Sequence, residues 1–207
     1  MKMNDALEVG VESLKLARIS GLEATEATNA MTSALRGFNM ELSQASAQRI
    51  TDVYSKVAAI SASDVEELSV AMSKTASIAA SANMTFENTA AFLGTIIEAT
   101  REAPETAGTA LKTIIARFSE VKELYSQGQL TGVDSEGEAI NINNIDKALK
   151  SVGISLNQFM LGEQGLDDIL LQLAERWNTI DFATQKYIAT MAAGSRRTKC
   201  CPLLSAA

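Results

Sequence analysis

The stretch REAPETAGTALKTIIARF, Arg101–Phe118, decides the fold. Pro104, one of only two prolines, is followed by Glu105, Thr106 and Gly108, and then by a run with helical spacing. Bare N–H groups at a helix start can bind an anion. The same residues can also form a corner where two helices pack. Proline and an acid suit the first turn of a helix, where a missing N–H costs nothing and negative charge is favoured. Glu105 would also repel a phosphate at that place. The corner is therefore the expected reading, with Gly108 letting another helix approach closely, at Ala90 or Gly94. From Thr109 onward Leu111, Ile114, Ile115, Phe118, Val121 and Leu124 form the clearest amphipathic stripe of the chain.

Composition extends this helical reading to the whole sequence. The chain has 207 residues, 46% of them hydrophobic but only 5% aromatic. The apolar share leans on alanine, which buries little surface, so the helices must pack close around a thin core. Proline is nearly absent, and Ala, Leu, Glu, Lys and Met favour helix. The net charge of −7 argues against a nucleic-acid surface built on bulk charge. There is no histidine, which excludes His-dependent triads, His-containing zinc sites and HExxH proteases. The two cysteines, Cys200 and Cys201, are adjacent and cannot make a four-ligand zinc site alone. Their scarcity reads as a reduced, intracellular origin. No signal peptide and no run of about 18 apolar residues stands out.

Along the chain, Leu7, Val11, Leu14 and Ile19 are spaced as a first helix, closed by Ser20 and Gly21. A second runs from about Leu22 with Ala27, Ala30, Met31, Ala34, Leu35 and Phe38 on one side, and a third spans about Gln44–Ile60. Ser63 with Glu66 has capping-box spacing before a fourth helix carrying Val65, Leu68, Met72, Ile78 and Ala79. A fifth covers about Phe86–Arg101. Gln127–Asn141 breaks the pattern as an acidic, glycine-containing loop, in which Leu130–Val133 and Glu138–Ile142 can pair as a short hairpin. Helical spacing returns at Ile145–Ser151, with Gly153 as its C-terminal glycine and Ser155–Gln158 as another capping pattern. Two more helices follow at Gly165–Ile180 and Phe182–Ala193. The expected fold is all-α: antiparallel hairpins in a bundle of about eight helices, with one loop or short β-hairpin near 127–142. FNME at Phe38–Glu41 and ANMT at Ala82–Thr85 lie 44 residues apart, each after an Ala-Met pair, Ala30-Met31 and Ala71-Met72. They mark either a degenerate repeat of a helical hairpin or a coincidence in an alanine-rich chain.

Candidate chemistry is sparse. Asp134, Glu136 and Glu138 alternate as calcium ligands do, but the twelfth position of such a loop falls on Ile145, which cannot ligate. A solvated acidic turn is expected instead. Asp167 and Asp168 stand together where acid–base carboxylates could, yet at a helix start they more simply favour the dipole. Arg196, Arg197 and Lys199 could contact phosphate, or form a cationic helix end. Tyr54 and Tyr125 lack a nucleophile partner nearby in sequence, and the eight methionines are spaced as adaptable core filler. GxGxxG and P-loop patterns are missing. No catalytic, cofactor or metal site is expected.

Phe86–Phe118, FENTAAFLGTIIEATREAPETAGTALKTIIARF, resembles the core of tailed-phage tail tape measure proteins. The family pattern runs from a helix through a loop to a helix start that reads here Ala107, Gly108, Thr109, Ala110, Leu111 and Lys112. The likeness continues through the acidic loop Val133–Glu138, KALKSVGIS (Lys147–Ser155), LDDILLQLAERWNTI (Leu166–Ile180) and TQKYIATMAAGSRR (Thr184–Arg197), and covers about Ala6–Arg197. The resemblance implies a non-enzymatic structural protein of the virion tail, assembled in the host bacterial cytoplasm and involved in tail length determination. Members lie within the tail during assembly and leave it ahead of the DNA. Implied partners are tail assembly chaperones, the tail tube protein and the tail-tip proteins; self-association of the chain is a separate possibility, not part of what the resemblance implies. The alternative is a helical module for protein or membrane interaction, effector- or toxin-like. Family chains continue for hundreds of residues of extended helix, whereas 207 residues as one helix would reach only about 300 Å. Residues 1–197 form the family-like core region. Thr198–Ala207, TKCCPLLSAA, departs from the pattern, as a frameshifted or truncated prophage gene would.

Overall fold

The computed structural model describes residues 3–134, 137 and 139–193. Ten α-helices occur among them: α1 (Met3–Ser20), α2 (Ala24–Gly37), α3 (Gln44–Ile60), α4 (Val65–Ser81), α5 (Phe86–Thr100), α6 (Pro104–Ser126), α7 (Ile142–Lys150), α8 (Asn157–Leu161), α9 (Leu166–Trp177) and α10 (Phe182–Ala193). Between α6 and α7 lies a two-stranded antiparallel hairpin, β1 (Thr131–Val133) and β2 (Ala139–Asn141), in the register Thr131↔Asn141, Gly132↔Ile140 and Val133↔Ala139. The all-α bundle with one short hairpin is therefore the observed architecture. The additional helix beyond the sequence reading is α8, a single turn and a half too short to show a period.

Alanine sets how the bundle closes. α4 is the central helix, burying Val65, Leu68, Ala71, Met72, Thr75, Ala76 and Ala79, and it packs against α2, α5 and α6. Where α4 meets α6 the backbones nearly touch. A methyl built on Gly108 would lie 2.4 Å from the carbonyl oxygen of Ala71. Thr75 Oγ1 donates across the same contact to the Gly108 carbonyl at 2.8 Å. Gly108 thus serves close packing, but its neighbour is Ala71 of α4 and not Ala90 or Gly94. Gly94 instead faces Val57 of α3 and Ser61 just past its end. Pro104 begins α6 itself, five residues before the visible stripe. Larger side chains fill the gaps: Phe86 meets Phe38 and Tyr54 edge-on, with ring centroids 5.5 and 5.4 Å apart. Burial pushes the Tyr54 phenol well above its ordinary pKa.

The helix ends explain the recurrence of Asn-Met. Asn39 and Asn83 both take positive φ, 51° and 58°. Behind them Met40 N donates to Leu35 O at 2.9 Å and Met84 N to Ala79 O at 3.0 Å. Asn39 N and Asn83 N donate to Arg36 O and Ala80 O. Both turns are Schellman caps with asparagine in the left-handed position. The repeat is real at the level of the turn joining α2 to α3 and α4 to α5. The start of α4 is shifted from the expected pattern: Asp64, not Ser63, is the cap, accepting from Glu67 N at 2.8 Å, while Glu67 Oε2 accepts from Asp64 N at 3.2 Å.

α1 departs most from its sequence reading. Its inner face carries Val9, Glu12, Ser13 and Leu16, whereas Leu7, Val11, Leu14 and Ile19 are exposed. The buried Glu12 is held by Lys15, Nζ to Oε1 at 2.6 Å, and Ser13 Oγ donates to Val9 O at 2.9 Å.

Candidate functional site: two polar junctions and an open groove

Two buried polar side chains, Asp167 and Arg117, join elements far apart in sequence. Asp167, in the first turn of α9, is only 2% exposed. Its Oδ2 accepts from Thr85 N at 2.9 Å, Thr85 Oγ1 at 3.0 Å and Asn88 Nδ2 at 2.8 Å, and Oδ1 accepts from Asp168 N at 3.2 Å. Thr85 in turn caps α5, its Oγ1 accepting from Asn88 N. One carboxylate therefore locks the start of α9 onto the start of α5. Gly165 permits this approach, since a methyl there would come within 2.5 Å of the Asn83 carbonyl oxygen. Asp168 does what a dipole argument expects, accepting from Gly165 N. The pair is split between two structural tasks, and Asp167, with four donors on two oxygens, is spent as an acceptor.

Arg117 makes the second junction from the middle of α6. Its Nε donates to Met191 O of α10 at 3.0 Å and its Nη2 to Ala139 O of β2 at 3.1 Å. Nη1 forms an ion pair with Asp134, and both side chains are buried. Asp134 is thus not part of a solvated turn; it neutralises a guanidinium that holds the hairpin and α10 against α6. Glu136, Glu138, Arg196, Arg197, Lys199, Cys200 and Cys201 lie outside the described residues. Arg117 was hidden in sequence because one cation between Ile115 and Phe118 reads as an interruption of the stripe.

Surface recesses are shallow. A groove of about 370 Å³ lies at the first Asn-Met turn, lined by Thr32, Leu35, Arg36, Asn39, Met40 and Leu42. Another, of about 270 Å³, includes Arg176 and Asp181. There Arg176 donates to Val152 O at 2.6 Å, and Asp181 caps α10 by accepting from Ala183 N and Thr184 N. Hydrogen bonding by Thr184 holds the Asp181 carboxyl below its ordinary pKa. Among the described residues no three metal-ligating side chains converge, and no helix is long and apolar enough to cross a membrane.

Comparison with known proteins agrees with a tail component. The family of phage-related minor tail proteins matches residues 1–194. The chain is similar to the tape measure protein of Pneumococcus phage Dp-1, 29% identical over 161 residues. That alignment covers 76% of this chain and 14% of the phage protein, so the chain spans roughly a seventh of that relative. No solved structure matches the chain.

Proposed function

Because the chain belongs to the family of phage-related minor tail proteins, we propose that it is the folded core region of a tape measure protein, acting in tail assembly and tail length determination. The observation that carries this reading is the similarity to a protein of that name over 161 residues. The role is structural and non-enzymatic. Its partners are tail assembly chaperones, the tail tube protein and the tail-tip proteins, met in the host bacterial cytoplasm.

The fold narrows the role. A ruler measures by extension, and helix length grows by about 1.5 Å per residue. The longest described helix here, α6, has 23 residues, which is about 35 Å. The chain folds back at every turn, so this region is a docking body and extended helix elsewhere in such a protein supplies the length. In a phage whose tape measure gene encodes this region, in-frame deletion of residues 3–193 is expected to abolish uniform tails, as seen by electron microscopy. Infectious phage with uniform tails shortened by about 300 Å would instead make the region part of the ruler. Normal numbers of full-length tails would remove it from both tasks.

A further inference from the structure

Helix α1 turns its apolar residues outward. Leu7, Val11 and Leu14 are 69%, 46% and 59% exposed. Single exposed apolar residues are ordinary, but these are spaced four and then three apart, as the a and d positions of a coiled-coil seam. The opposite face, Val9, Ser13 and Leu16, is already committed to the bundle. The next seam position is Arg18, and Glu8 and Lys15 stand one heptad apart on the same flank, all three exposed.

We propose that a second copy of this chain covers the stripe, with the two α1 helices antiparallel about a two-fold axis between Val11 and Leu14. Charge selects both the occupant and the direction. In a parallel pair the two Arg18 guanidiniums would meet in the seam, like against like. In the antiparallel pair each Arg18 lies over Leu7 of the other copy, its aliphatic stem covering the leucine. Glu8 then faces Lys15 and Arg18 of the other copy, and the two-fold axis repeats the arrangement. Lys15 already holds Glu12, and an ammonium has donors to spare for Glu8. A stripe of this length is small beside a standard interface, so the dimer is weak and reversible. This goes beyond the tail reading and stands or falls without it.

Sedimentation equilibrium of the full chain over a wide range of concentration tests the pairing. A monomer–dimer equilibrium is expected. Val11→Glu should raise the dissociation constant by at least about tenfold, roughly 1.4 kcal/mol, with the helical circular dichroism of the folded chain retained, because Val11 is 46% exposed and lies on the side of α1 opposite Val9, Ser13 and Leu16. Glu8→Lys should weaken the dimer, and adding Arg18→Glu should recover part of the loss, since Lys15 still faces position 8 while only antiparallel helices bring positions 8 and 18 together. A chain that stays monomeric at every concentration overturns the proposal. So does a dimer indifferent to Val11→Glu, or one not even partly rescued by the charge swap. A monomer that co-sediments with phosphatidylglycerol vesicles through the same stripe would assign the face to a lipid surface instead.

Discussion

Gly10 and Gly108 are both helical glycines, and only their surroundings separate them. At Gly10 an added methyl meets nothing within 4 Å, while at Gly108 it meets the Ala71 backbone at 2.4 Å. Gly10→Ala should therefore stabilise the chain by about 0.5–1 kcal/mol through the unfolded state and helix propensity. Gly108→Ala forces α4 and α6 apart and should cost about 2 kcal/mol, a fall in Tm on the order of 5 °C. Thermal and urea denaturation of the two variants check the pair, and equal effects would remove the packing role. The two asparagines teach the same lesson from the other side. Asn39 and Asn83 look like composition in the sequence, yet both occupy left-handed turns that few residues other than glycine adopt readily.

Between elements, the stability of the fold depends on polar groups that serve more than one helix. Asp167 gathers the amide and hydroxyl of Thr85 and the amide of Asn88. Asp167→Ala leaves buried donors without an acceptor and should cost about 3 kcal/mol. Asp167→Asn keeps one acceptor oxygen and should cost less. Urea midpoints of both variants measure this, and a neutral Asp167→Ala would mean that α9 is held by its leucines alone. The exposed pair of Arg49 on α3 and Glu87 on α5 is a contrast. Arg49 holds the Glu87 carboxyl below its ordinary pKa, but solvent screens such a pair and its contribution is small. Helix limits follow the same logic. α6 starts at Pro104 because proline supplies its own φ, and its buried face begins at Ala107 and Gly108, residues too small to show as an apolar stripe.

For the whole molecule, one hydrophobic cluster runs from Val9 to Ala189, with α4 and α6 at its centre. The amides of Ala71–Ala79 and Ala107–Ile115 should therefore exchange with solvent most slowly. Those of β1, β2 and α8 should exchange first, since a two-stranded ribbon and a short helix open locally. Native-state hydrogen exchange read by mass spectrometry checks the order, and a hairpin as protected as α4 would contradict it.

The sequence by itself determined the all-α class, nearly every helix, the hairpin near 127–142 and the family likeness. Each rests on local period, turn residues or collinear pattern, and these survive in one dimension. Only the tertiary structure decided what the exceptions mean. Which face of α1 is inside, which helix Gly108 touches, and why Arg117 and Asp167 are buried all depend on residues far away in sequence. Asp167 stands 82 positions from Thr85, and Arg117 stands 74 from Met191. A lone charge on an apolar stripe has no readable partner until the chain folds back to supply one. The Arg101–Phe118 segment combines both lessons: its proline and acid announce a helix start locally, and its glycine acquires a purpose only when Ala71 arrives beside it.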